Sequence, residues 1–128
     1  MAQKKASMAI NTKANYIVIS FTGDLEYGVI EDIKKDLQAL KLETKLGYII
    51  DMQKVMNIDS TGFGMIVNFA KMVSVKEKRI AIIVVDDFIR NLFAISQCDK
   101  IFPISKSEEE AKQIIQNGWS SELSLNEY

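Results

Sequence analysis

Histidine is absent from all 128 residues, and with it go the commonest general base, the Ser-His-Asp arrangement and most zinc sites. A single cysteine, Cys98, cannot form an internal disulfide. Neither sign of charge is in excess: 16 basic and 17 acidic residues leave a net charge of −1. That balance gives no general attraction to polyanions or anionic lipid, so neither nucleic acid nor a membrane surface is an expected partner. Apolar runs are only a few residues long, far short of a membrane span. Met1–Ile10 carries two lysines without the apolar run of a signal peptide. The expectation is a soluble, cytoplasmic protein. These absences shift the weight from enzymes toward binding modules.

What is present suffices for one core. At 128 residues with 48% apolar content, a single domain over residues 1–118 is expected, followed by a polar C-terminal tail over 119–128 that contains Trp119. Apolar and polar residues alternate from Met8 to Gly23, with a turn at Lys13-Ala14-Asn15, which predicts two paired strands closed by Gly23 and Asp24. Val29, Ile30, Ile33, Leu37 and Leu40 mark one face of a helix over Gly28–Lys41. Gly47–Ile50 reads as a strand covered on both faces, and Asp51–Asp59 as a loop. Helical character over Thr61–Val75 comes next, with Asp59 or Ser60 at its N-cap. A β-branched strand over Ile80–Val85, a helix from Asp86 through Cys98 and a short strand over Ile101–Ile104 follow. Ser107 and Glu108–Glu110 then open an acid-rich terminal helix. The order β-β-α-β-α-β-α-β-α predicts an α/β fold with a mostly parallel mixed sheet, an N-terminal hairpin and four helices. Loops at the carboxyl ends of its strands, Gly23–Tyr27 and Asp51–Gly64, are where function is expected.

The segment Ile58-Asp59-Ser60-Thr61-Gly62-Phe63-Gly64 places a carboxylate, two hydroxyls and two glycines where a loop meets a helix. A helix N-terminus offers unpaired N–H groups and a partial positive charge, so a phosphate on Ser60 would be stabilised there. Gly62 and Gly64 each cost about 0.5–1 kcal/mol relative to alanine, which suggests a need for close backbone approach. Asp-Ser-Thr before an apolar helix is also an ordinary cap, and these residues alone leave both readings open. Further along, Gly62, Phe63, Ile66, Val67, Ala70 and Val73 form one apolar arc, extended on one flank by Met65, Phe69 and Met72. So wide an arc exceeds the roughly 100° stripe of a surface helix. Either a neighbouring element buries the flank or a partner does, and Met65 and Phe69 are taken as candidate partner contacts.

At this motif the sequence resembles the anti-sigma factor antagonists, the bacterial single-domain members of the STAS family. The resemblance runs from about Met8 to Gln116. It rests on Gly23-Asp24-Leu25-Glu26, Tyr48-Ile49-Ile50-Asp51, the Ile58–Gly64 segment, and Phe102-Pro103-Ile104 followed by Ser107-Glu108-Glu109-Glu110-Ala111. It implies a STAS-like fold and partner switching. Ser60 would be phosphorylated by an anti-sigma factor that is also a serine kinase using ATP and magnesium, while the chain itself holds no cofactor or metal. The unmodified form would bind that partner and free a sigma factor for transcription; a serine phosphatase would restore it. By the same resemblance Asp59 supports the phosphoacceptor loop and Asp24 and Glu26 lie beside it; Thr61, Gly62 and Gly64 are taken with them as candidate partner contacts. The family often has Gly-Glu-Leu-Asp where this chain has Gly23-Asp24-Leu25-Glu26, and Tyr27-Gly28 replaces small or polar residues.

Other roles stay open on the same fold, as a scaffold in a stress-sensing complex or a regulatory subunit of a transporter. Catalysis is not expected: Ser60 has no histidine to activate it and no Gly-x-Ser-x-Gly elbow around it. A receiver domain using Asp51 would need a lysine after the last strand, where Phe102-Pro103-Ile104-Ser105 supplies none.

Overall fold

The computed structural model describes residues 3–42 and 45–119. Strands β1 (Ala6–Thr12) and β2 (Tyr16–Leu25) form the opening hairpin, and α1 (Glu31–Ala39) leads to β3 (Gly47–Ile58). Then come α2 (Ser60–Val75), β4 (Arg79–Ile83), α3 (Asp87–Ile95), a 3-10 turn over Cys98–Lys100, β5 (Ile104–Ser105) and α4 (Glu108–Asn117). The five strands lie in sequence order, β1 antiparallel to β2 and the rest parallel. The expected tail beyond Trp119 falls outside the described residues.

Alternation along the strands divides the core between the two faces of the sheet. Ile17, Ile19, Phe21, Tyr48, Ile50, Ile80 and Ile82 point to the face covered by α1, α2 and α3. Tyr16, Val18, Ile49, Ala81 and Ile83 point the other way, onto Ala111 and Ile115 of α4. Burial on both sides explains why these strands read as nearly continuous apolar runs. Among the described residues, no helix is long and apolar enough to cross a membrane.

The largest departure from expectation is β3, which continues through the predicted Asp51–Asp59 loop to Ile58. Pairing runs from Ser20↔Asp51 to Leu25↔Ile58, with register shifts at Ser20/Thr22 and at Gly23/Asp24. β2 advances five residues over that span and β3 seven, so β3 accommodates two bulges. Each bulge turns the side-chain alternation over. Buried residues therefore recur every third position, at Met52, Val55 and Ile58, and the period of two that marks a strand is lost. β2 correspondingly extends to Leu25, two residues beyond Gly23.

Other differences lie at element ends. Gly28 adopts φ +81° in a turn, which delays α1 to Glu31, and the helix stops at Ala39 instead of Lys41. The last strand is Ile104–Ser105, because Cys98–Lys100 closes into a 3-10 turn and Pro103 joins the ladder only through its carbonyl, which accepts from Ile82 N at 3.0 Å. Asp86 and Ser107 cap α3 and α4 through bonds to Ile89 N (3.0 Å) and Glu110 N (3.1 Å).

Candidate functional site

Asp59 is the N-cap of α2, which makes Ser60 the first helical residue. The Asp59 carboxylate is a clamp: Oδ1 accepts from Gly62 N at 3.0 Å, and Oδ2 accepts from Tyr27 N at 2.9 Å in the β2–α1 loop. Asp59 N donates in turn to the Leu25 carbonyl at 3.2 Å. The strand-to-helix junction is thereby fixed to the neighbouring loop from both sides. Ser60 stands exposed on this rigid corner, and Thr61 is half-buried.

The other two acids are also engaged. Asp24 accepts from Asn57 Nδ2 at 2.6 Å and from Lys5 N at 3.1 Å, which ties the ends of β2 and β3 to the segment entering β1. Glu26 forms an ion pair with Lys4 at 2.7 Å. Asp24, Glu26, Asp59, Ser60, Thr61 and Gly62 are thus brought together at the carboxyl end of the sheet. Their carboxylates build the loops before they can meet any partner.

The two glycines differ. A Cβ on Gly62 would overlap the Leu25 carbonyl oxygen, so the close approach it permits is internal, between α2 and the end of β2. Gly64 faces open space. Gly64→Ala is therefore expected to raise stability by about 0.5–1 kcal/mol, and Gly62→Ala to lower it by about 1–3 kcal/mol, measured by denaturant unfolding.

One expectation needs correction. Met65 and Phe69 are 6% and 4% exposed, covered by α1, and Phe69 packs edge-to-face on Tyr48 at 6.2 Å. A groove between α1 and α2 keeps only Met72 of this flank half-buried. The wide apolar arc of α2 is wide because α1 and α3 flank it while the sheet lies beneath; Phe63, for example, meets Phe93 of α3 at 4.9 Å. Met65 and Phe69 belong to the core.

The exposed apolar residues at this end are others: Tyr27 and Met56, each 77% exposed, Phe88, 63% exposed, and Val85, 47% exposed. Met56 is the extra residue of the second bulge in β3, and Phe88 lies in the first turn of α3. Phe88 follows an Asp cap in an acidic turn, a signal legible in sequence; Met56 and the bond from Asn57 to Asp24 carry none.

Hydrogen bonds from Tyr27 N–H and then Gly62 N–H hold the Asp59 carboxyl below its usual range, and those from Asn57 and then Lys5 N–H do the same for Asp24. A depressed folded-state value contributes stability that is complete above the ordinary aspartate value, about 3.9, and is lost as pH falls through the lowered one. Melting temperature should hold steady from neutral pH to about 5 and fall below about 4. In the Asp24→Asn, Asp59→Asn double variant the neutral value should be lower and the acid-side fall shallower. Equal acid slopes would remove these two groups from the account.

No group of three or more His, Cys, Asp or Glu among the described residues is placed to hold a metal ion. The family model of the STAS domain matches residues 7–111. The chain belongs to the STAS domain family. Its fold is shared with an anti-sigma factor antagonist from Mycobacterium paratuberculosis, at TM-score 0.78 and 15% identity over 88% of this chain and 95% of that one. It is shared too with the Bacillus cell fate determinant SpoIIAA in its phosphorylated form, at TM-score 0.64 and 16% identity over 84% and 99%. A sulfate transporter family protein from Wolinella succinogenes matches at TM-score 0.66 and 17% identity over 81% and 89%. At these identities the likeness is one of fold, and the STAS domain's own residues must carry any argument about its role.

Proposed function

We propose that this STAS domain is a phosphorylation-switched, cytoplasmic anti-sigma factor antagonist. Unmodified, it binds an anti-sigma factor that is also a serine kinase and so frees a sigma factor; modified at Ser60, it lets go, and a serine phosphatase resets it. The observation that carries this reading is an exposed Ser60 on the first turn of α2, on a corner that Asp59 fixes without using the serine side chain. A phosphate can be added there with the helix terminus favouring its charge and no buried group displaced. The chain acts as substrate and ligand in this scheme, and the kinase supplies ATP and magnesium.

The test is incubation with candidate anti-sigma kinases and ATP, followed by phosphopeptide mapping. Label on Ser60, none on Ser60→Ala and stable binding of Ser60→Ala to the kinase are expected; label on Thr61 would refute the assignment. Tyr27, Met56 and Phe88 replace Met65 and Phe69 as the apolar anchors. Tyr27→Ala and Phe88→Ala should each weaken kinase binding by about tenfold, about 1.4 kcal/mol, with unchanged melting. Unaltered affinity in both variants would place the contact elsewhere around Ser60. The Wolinella neighbour keeps a transporter-associated role in view, and co-purification separates the two, as a small ATP-binding kinase fits the first reading and a membrane transporter the second.

A further inference from the structure

The net charge of −1 averages over two ends that the fold keeps apart. Parallel strands place the N-termini of α1, α2, α3 and α4 at one end of the sheet, where acids complement the helix dipoles: Glu31 and Asp32, Asp59, and Asp86 and Asp87, while the Glu108 carboxylate of α4 turns toward the start of β2 and accepts from the Tyr16 hydroxyl at 3.3 Å. The opposite end is built from the β1–β2 turn, the α1–β3 connection and the α2–β4 turn, with the α3–β5 connection, which holds Asp99 and Lys100, at its edge. It carries Lys13, Lys41, Lys45, Lys76, Lys78 and Arg79. Backbone bonds join these segments: Leu46 N donates to Asn15 O at 2.9 Å and Arg79 N to Leu46 O at 3.2 Å, while Lys45 Nζ reaches Ala14 O at 3.2 Å. Among the described residues Glu77 and Asp99 are the carboxylates in these connections, against seven cations once Lys100 is included, and Glu43 falls outside the described residues. Arg79 also holds the end of α4, donating to the carbonyls of Ile115 and Gln116 at 2.6 and 2.9 Å.

Three exposed apolar side chains share this basic end: Leu46 just before β3, Val75 closing α2, and Trp119 after Gly118, which lies against Arg79. We infer that this end docks on an anionic lipid surface, its cations over the headgroups and Trp119, Leu46 and Val75 in the interfacial layer. Charge complementarity selects an anionic occupant, since basic segments gain affinity at an anionic leaflet and lose it with salt. The aliphatic pair Leu46 and Val75 favours lipid over nucleic acid, whose bases stack on aromatics, and an indole suits the interface between headgroup and chain. Ser60 lies at the other end of the sheet and stays accessible in the docked state, so this inference stands apart from the proposed switch.

Trp119 is the only tryptophan, so its fluorescence reports on that end alone. With mixed phosphatidylserine–phosphatidylcholine vesicles the full chain should co-sediment and its emission should shift to the blue. Phosphatidylcholine alone should bind at least about tenfold more weakly. High salt should release the wild-type chain, and the Lys41→Glu, Lys76→Glu variant should bind about tenfold less while melting cooperatively. Trp119→Ala should reduce co-sedimentation. No blue shift with anionic vesicles, equal binding to neutral ones, salt-independent binding, or a shift with duplex DNA but not with vesicles would each overturn the proposal.

Discussion

Replacing Met65 with lysine is expected to destabilise the domain by about 3 kcal/mol, enough to remove a large part of a stability of about 5–15 kcal/mol. Met65 is 6% exposed and packed between α1 and the sheet, with Leu37 of α1 and Phe69 of α2 beside it. A lysine there must either bury an unpaired ammonium or thread its stem along the α1–α2 groove, pushing α1 away from α2. The groove also contains Lys34, so an emerging ammonium would meet a like charge. Met65→Leu, which conserves volume, should cost less than about 1.5 kcal/mol. Denaturant midpoints of the two variants decide the matter. If Met65→Lys unfolds like the wild type, α1 does not cover this flank in solution and the residue is free to meet a partner.

Why the sequence misplaced Met65 is instructive. The apolar arc of α2 was legible, and its excess width required a cover. Whether that cover was α1 or another molecule depended on the side of α2 against which α1 packs, and periodicity within one helix cannot express that. The order of elements, the hairpin and the parallel sheet were readable because each strand buries both faces and each helix is bounded by a cap such as Asp59, Asp86 or Ser107. β3 beyond Asp51 was not. Its two bulges convert strand alternation into a spacing of three, which imitates a loop and hides both Met56 and the Asn57–Asp24 bond. For the candidate site, Ser60 and Asp59 could be placed at a helix start from residue type alone. The distribution of the Asp59 carboxylate between Gly62 and Tyr27 could not, because it depends on how the β2–α1 loop folds back over α2.

Phosphorylation of Ser60 is expected to lower affinity for the kinase partner by about a hundredfold, near 2.7 kcal/mol, while shifting the melting temperature of the isolated domain little. The two halves have separate causes. Within the domain the added phosphate, about −1.5 to −2 charges, sits on an exposed first-turn residue where the partial positive charge of α2 favours it. The neighbouring Asp59 opposes it, but that carboxylate is already bonded to Gly62 N–H and Tyr27 N–H, so repulsion and attraction offset one another. At the interface no such offset exists. Tyr27, Met56 and Phe88 are exposed at the same end of the sheet as Ser60, and on the proposed switch a partner closing over that end would have to strip water from the phosphate. On the proposed switch the unpaired desolvated charge would cost more than those contacts return, leaving the surface usable only while Ser60 is unmodified. Titration calorimetry of the two forms, with thermal melts alongside, separates the effects. Equal affinity of both forms would sink the switch, and loss of the cooperative melt on phosphorylation would show that the modification acts by unfolding the α2 corner instead of blocking the surface.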